Sequence, residues 1–456
     1  MRAFWVTIAM CWALGAVPAQ AVDAEGGDQP SDATLYTGMS VIDGTGSPMQ
    51  PGMAILVKNG LIVEVGPSLE MAAEVDRDTK LVDASGWYAL PGLIDTHVHM
   101  ATVPNLTQAR ALMRRYIYSG ITSVRDMAGD MRTLAELARE SRLQKTPAPD
   151  LYYSALMAGP SFFKDPRPGS AAEGEIAGQV PWMQAITPET DMAEAVTLAR
   201  GTWATGIKIY ANLPGTEVRR IASEAKKQGI KTWAHSMVFP ATPGEVVGAG
   251  VDVISHVCRL AWELTEEKPG EYHHSIALPY DTLDPADDRL KALYAKMRAQ
   301  GTILDATLWL YSHLEERRKN QPARKAGPAI CPPDFAAKLT SFAHEQGVEI
   351  STGTDVVLPA EASHPALFDE LETLVASAGL TPLEVIRAAT LNGARVVGLE
   401  DDHGTLEVGK RADIMFVSKN PVEDIKNLRA VVMTVKGGKA YPRADYVPIT
   451  KEDLAN

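Results

Sequence analysis

The chain has 456 residues, 45% of them hydrophobic and 22% charged, with a formal net charge of −13. That length exceeds one small core and fits a barrel plus a second domain, and the composition is that of an ordinary globular protein. The acidic balance, with no Lys/Arg-rich run, excludes nucleic acid as an expected partner.

The first residues have the form of an export signal. Arg2 gives a positive start, Ala3 to Gly15 is apolar, and Ala19-Gln20-Ala21 offers a small-x-small cleavage site. The apolar stretch falls short of the roughly 20 residues a bilayer span needs. The expectation is therefore a signal peptide over 1–21, cleaved after Ala21, with no stable membrane span afterwards. Bulky Met10 argues against lipid attachment at Cys11. The mature chain then keeps only Cys258 and Cys331, which an oxidising compartment would allow to pair if the fold brings them together. The expected location is periplasmic or secreted.

Next come short strands and turns: ATLYTGMSVIDGTG (33–46), MAILVKNGLIVEVG (53–66) and TKLVDASGWYAL (79–90). Asn59-Gly60 between alternating apolar runs signals a hairpin. HGTLEVGKRADIMFVSKNP (403–421) and LRAVVMTVKGGKAYP (428–442) have the same character. The two flanks, 22–88 and 396–456, predict one small β-sandwich domain.

Residues 89–395 alternate short apolar strands with amphipathic helices. The strands are LIDTHVHM, ITSVRDM, DLYYSALM, GIKIYA, IKTWAHS, VDVISHV, TILDATLWL and VEISTGTD. Helical stretches such as TQARALMRRYIYSG, TEVRRIASEAKKQG and DDRLKALYAKMRAQG end in Gly, as helix C-termini commonly do. Eight such units predict an α/β fold, a (β/α)8 TIM-like barrel, with a doubly wound open sheet as the alternative. No GxGxxG opens a first β-α turn, so no dinucleotide site is expected. The long loops at 159–182 and 262–281 should form walls or lids of a substrate pocket at the C-terminal ends of the strands, or else be disordered.

The polar residues fall at those ends. His97 and His99 sit in LPGLIDTHVHM (90–100). Residues two apart on a strand share a face, so the two imidazoles converge on one point. His235, His256 and Asp355 end the fifth, sixth and eighth strands. In Gly-Ile-Lys-Ile-Tyr, Ile207 and Ile209 belong on the face that packs on helices, so Lys208 and Tyr210 point into the barrel. A buried ammonium is costly. It either pairs with an acid such as Asp355, or its neutral amine has combined with carbon dioxide to give a carbamate that bridges two metals. Tyr210 either donates to a substrate carbonyl or carboxylate or simply packs. Arg125 either meets a substrate carboxylate or pairs with Asp126 or another acid. His273, His274, His313 and His364 read as surface histidines, with one of them lining the pocket as the alternative.

This pattern resembles the amidohydrolase superfamily. PGLIDTHVHM is similar to its first-strand motif, the spaced Lys, His, His and Asp to its later ones, and TPLEVIRAATLNGARVVGLEDDHGTLEVGKRADIMFV (381–417) to its closing helix and return to the β domain. Nearest are the imidazolonepropionase-like and Xaa-Pro dipeptidase-like members with a strand-four lysine. The resemblance implies His97, His99 and Asp355 on one divalent metal, His235 and His256 on a second, and carboxylated Lys208 between them. Imidazole and carboxylate donors favour zinc. It further implies hydrolysis of a carbon–nitrogen bond by a hydroxide held between the metals, with Asp355 taking the proton and passing it to the departing amine. No G-x-S-x-G elbow offers a serine nucleophile. The expected partner is a small dipeptide, N-acyl amino acid or related amide, with room left for a homo-oligomer. The alternatives are a mononuclear hydrolase of a cyclic amide, ester or amidine, and a catalytically silent metal-binding or interaction protein, which Asp355 argues against.

Overall fold

The computed structural model describes residues 33–74, 76–272, 276–321 and 331–454. The export signal, Cys11, His273 and His274 lie outside the described residues. Eight parallel strands run in chain order around the centre: Leu93–Val98, Ile121–Asp126, Asp150–Ala158, Gly206–Ile209, Lys231–His235, Val253–Ser255, Ile303–Asp305 and Ile350–Ser351. The eighth returns to the first, where Thr96 N–H donates to Thr352 O and Asp355 N–H to His97 O, each at 2.8 Å. Sequential order with this return describes a barrel, not a doubly wound sheet.

The two faces of each strand follow the expected alternation. Ile207 and Ile209 are fully buried in the large core shared with the surrounding helices. Lys208 stands in register with Trp233, and Trp233 packs inside the barrel with Tyr152, Val253 and Ile303. The helices carry local signals as well. Asp287 caps the helix Asp288–Gln300 by accepting from Arg289 N–H, and Gly301 ends it at φ +72°, the left-handed conformation that glycine takes without strain.

TILDATLWL departs from the strand reading. Only Ile303–Asp305 is strand, and a helix begins at Leu308. A short apolar run has no periodicity that separates strand from buried helix. Glu370 settles it, accepting from Leu308 N–H and Trp309 N–H at 2.9 and 2.6 Å and so satisfying the first turn.

Both flanks contribute to a separate eight-stranded sheet, with the order Lys439–Pro442, Val431–Lys436, Ile414–Val417, Tyr88–Pro91, Ala33–Val41, Gln50–Lys58, Leu61–Pro67, and Lys80–Asp83 also on Ala33–Val41. It is mostly antiparallel and encloses its own core, including Tyr36, Ile55, Ile62, Ile414, Phe416 and Val435. A buried ionic joint ties it to the barrel. Lys436 Nζ lies 2.8 Å from Asp150 Oδ1, and Arg411 Nη1 lies 2.7 Å from Asp150 Oδ2.

Candidate metal centre

The barrel brings five of the predicted residues to the C-terminal ends of its strands, and Lys208 within its strand faces the same cavity. The rings of His97 and His256 lie 4.9 Å apart, those of His235 and His256 4.7 Å, and those of His97 and His99 5.5 Å, between centroids. Asp355 approaches three of them: its carboxylate is 3.1 Å from His99 Nε2, 3.7 Å from His97 Nε2 and 3.9 Å from His256 Nε2. Ligand atoms of His97, His256 and Asp355 all fall within 4.8 Å of one another, a spacing one metal ion can span.

The other nitrogen of each ring is already engaged. His97 Nδ1 pairs with Asp305 Oδ2 at 2.9 Å, His235 Nδ1 with Met237 O at 3.1 Å, His256 Nδ1 with Thr307 Oγ1 at 3.0 Å, and His99 Nδ1 with Thr102 Oγ1 at 3.3 Å. An acceptor at Nδ1 fixes the tautomer and leaves Nε2 as the free lone pair, which is how second partners orient metal-ligating histidines. His97 Nε2 is buried with no hydrogen-bond partner among the described residues. A buried polar atom left so is costly unless something else satisfies it, and this donor set fits a metal ion.

The electrostatics agree. Burial pushes His97 and His235 below the usual imidazole range and His256 down to about 3, which favours the neutral, ligating form. Burial alone would raise the Asp355 carboxyl, but His97, His99 and His256 hold it well below the usual carboxylate range. Burial brings Lys208 down to about 8, against the opposing pull of Asp355 and Asp126. Lys208 Nζ donates to Met127 O at 3.1 Å and makes no ion pair with a described carboxylate.

Arg125 departs from the substrate-contact reading. It is fully buried beneath the centre, stacked 4.6 Å over the Trp233 ring, donating to Thr96 O and pairing with Asp305 Oδ2 at 3.2 Å. It does not line the cavity. The acid it meets, Asp305, was not singled out from sequence, yet it gathers His97, Arg125 and Ser255 Oγ (2.8 Å) on one carboxylate. The signal was available: Asp305 shares the inward parity of Ile303 in an otherwise apolar strand. Gly353 permits the arrangement, because a Cβ there would collide with Asp305 Oδ1 and His97 Cβ. Asp95, also unread, accepts from His97 N–H at 3.2 Å and Thr354 Oγ1 at 3.0 Å, tying the first strand to the turn that carries Asp355.

Six described non-glycine residues past the barrel strand ends have left-handed backbones: Ala128 (φ +83°), Asn212 (+58°), Phe239 (+51°), His256 (+72°), Thr307 (+47°) and Asp355 (+53°). Such conformations cost energy and cluster where function fixes a side chain. Ala128, His256 and Asp355 line a cavity of about 500 Å³. Phe162 and Arg167 from the 159–182 loop, and Tyr272 and Tyr280 from the 262–281 loop, line it, so both loops serve as walls. Tyr210 lines it too, its ring 4.9 Å from that of His235. Its hydroxyl is bonded to Arg167 and Tyr272, and burial pushes it far up the phenol range. His313 also lines the cavity. His364 lies elsewhere, with Nε2 beside Arg429 O at 3.1 Å. Cys258, another wall residue, is joined to Cys331 by a disulfide.

Residues 290–441 match the Amidohydrolase family. The chain is similar to ochratoxinase of Aspergillus niger, 26% identical over 469 residues that cover 91% of this chain and 87% of that protein. It is also similar to imidazolonepropionase of Symbiobacterium thermophilum, 22% identical over 380 residues covering 81% and 84%. In fold it resembles the crystal structure of a Xaa-Pro dipeptidase with bound methionine in the active site, with a TM-score of 0.70 at 22% identity over 90% of this chain and 100% of that one. Residues 290–441 thus carry an amidohydrolase family domain, and the chain shares the fold of that crystal structure.

Proposed function

We propose that the protein is a metal-dependent hydrolase that cleaves the carbon–nitrogen bond of a small amide, such as a dipeptide or N-acyl amino acid. The observation that carries this is the convergence of His97, His256 and Asp355 within 4.8 Å, with His97 Nε2 buried and unsatisfied. His97, His99 and Asp355 would hold one divalent ion, most readily zinc, and His235 and His256 a second, with Lys208 between them as its carbamate. Such ions, when bound, supply Lewis acidity and activate water. Burial favours the neutral Lys208 amine, the form whose nitrogen bonds to the carbon of carbon dioxide as it sheds a proton.

The chain's own residues do the rest. Asp355, ionised and beside His99, accepts a proton from the attacking water at a carboxylate oxygen and returns it to the departing amine. Tyr210 and Tyr272 present phenols for orienting polar groups, and Phe162, Leu156 and Met183 exclude bulk water. The likeness to an ochratoxinase and to a Xaa-Pro dipeptidase supports an amide or peptide bond as the target. The Cys258–Cys331 disulfide supports an oxidising, exported setting.

The compactness of the triad favours one further reading, a single ion at His97, His256 and Asp355 in a hydrolase of a cyclic amide, ester or amidine. Both readings are tested with zinc-, manganese- and cobalt-loaded protein on a panel of dipeptides, N-acyl amino acids and lactams. Turnover of the linear amides, abolished by chelation and by Asp355→Asn, is expected. Silence across the panel, or turnover indifferent to Asp355→Asn, would overturn the proposal.

A further inference from the structure

Thr307 stands at the N-cap of the helix Leu308–Lys319 but does not cap it. A threonine there ordinarily turns its hydroxyl to accept from an N–H of the first turn. Here the side chain makes no capping bond, and the backbone is left-handed, with φ and ψ both +47°. The hydroxyl lies instead 3.0 Å from His256 Nδ1. The first turn still needs acceptors for its N–H groups, and a different helix, Leu367–Ala378, supplies them. Glu370 Oε1 accepts from Leu308 N–H at 2.9 Å, and Oε2 accepts from Trp309 N–H at 2.6 Å.

Glu370 is fully buried and makes no ion pair with a described residue. Burial pushes its carboxyl up to about 8, against the pull of both N–H groups. A carboxyl in such a place is costly, and a threonine in the ordinary capping conformation would serve the same turn without one. The arrangement makes sense when the freed hydroxyl has another use. His256 is held from this one stretch of chain: its N–H donates to Asp305 O at 3.0 Å, Val257 N–H donates to Ala306 O at 3.2 Å, and its ring meets Thr307. Further along the helix, Tyr311 Oη accepts from Cys258 N–H at 3.2 Å. Leu310, Tyr311, His313 and Leu314 of the same helix line the cavity.

We propose that Glu370 is a positioning residue of the metal centre: by capping the helix Leu308–Lys319 in place of Thr307, it commits the Thr307 hydroxyl to His256 Nδ1 and so aims His256 Nε2 at the ion. This rests on the metal-dependent reading above but not on the number of ions, because His256 is a ligand with one ion or with two. Glu370→Gln keeps the shape of the side chain and offers a single acceptor. One N–H of the first turn then loses its partner, and the Thr307 hydroxyl is drawn back toward the helix and away from His256.

The test titrates metal-free protein with cobalt(II) against a competing chelator and records the visible absorption of the bound ion. Wild type, Glu370→Gln, Thr307→Val and the double variant are compared, with denaturant unfolding of each metal-free form measured alongside. Cobalt affinity should fall about 10- to 100-fold in each single variant, the usual effect of losing a group that orients a ligating histidine, and the absorption should change. The double variant should bind cobalt no more weakly than Thr307→Val, because both changes act through one bond, while its stability falls further. A purely structural cap would lower the stability of Glu370→Gln and leave cobalt affinity and absorption at wild-type values. That result, or additive losses of affinity in the double variant, would overturn the proposal. If Glu370→Gln does not fold, Glu370→Asp, too short to reach both N–H groups, takes its place with the same expectations. A wild type that binds no cobalt would reject the metal-dependent reading itself. Loss of affinity in Thr307→Val but not in Glu370→Gln would reject the role of Glu370 alone.

Discussion

Asp305→Asn is the most informative single change outside the metal-facing side chains. It keeps the shape of the carboxylate and removes its charge. Two consequences follow and can be measured apart. Arg125 and Asp305 are both 0% exposed and 3.2 Å apart, so neutralising one leaves a buried guanidinium unpaired, at a cost of about 3–5 kcal/mol. Burial already brings Arg125 down to about 10, which shows how poorly its surroundings solvate the charge. The second consequence concerns His97. The 2.9 Å bond from Asp305 Oδ2 selects the tautomer that leaves Nε2 free. An amide offers a donor as readily as an acceptor there, and metal affinity should drop by about 10- to 100-fold. Denaturant unfolding reads the first effect and competitive chelator titration the second. In Arg125→Met/Asp305→Asn the buried charge is gone, so most of the stability should return while metal affinity stays low. Wild-type metal affinity in Asp305→Asn, or recovery of affinity in the double variant, would refute the reasoning about His97.

The disulfide and the ionic joint make separate predictions. Cys258→Ser opens a link across 73 residues of sequence, worth up to about 4 kcal/mol by loop-closure entropy. Its unfolding midpoint should match that of reduced wild type, and equal midpoints for reduced and oxidised wild type would contradict the link. Asp150 is held below the usual carboxylate range: burial alone would raise it, and Lys436 and Arg411 outweigh that. A depressed carboxyl contributes stability that is present above its unfolded value near 4 and is lost as pH falls through the folded value. Acid unfolding of wild type below about pH 4 should therefore be steeper than that of Asp150→Asn, which is already destabilised because Lys436 has lost its partner. Parallel acid profiles for the two proteins would show that the joint contributes nothing to acid sensitivity.

What sequence revealed of this molecule followed periodicity. Alternation along LIDTHVHM placed His97 and His99 together, and the same rule turned Lys208 inward beneath two outward isoleucines. What it missed concerned depth. Arg125 and Lys208 both face the barrel interior, yet one lies in a closed layer under the centre and the other at the cavity floor. Strand stagger sets that difference, and no local pattern reports it. Asp305 belongs to the same closed layer, and its inward parity with Ile303 does not report that it meets His97 and Arg125 there. The cavity wall depended on loops, which set Tyr272 5.3 Å from the Arg259 guanidinium.

In the proposed centre His97, His99, Lys208, His235, His256 and Asp355 hold two divalent ions, and elemental analysis of zinc-reconstituted, dialysed protein counts them. About two equivalents per chain are expected in wild type and about one in Lys208→Ala, as two adjacent ions sharing one bridging ligand require. A wild type that retains no stoichiometric metal, or one equivalent in both proteins, would contradict it.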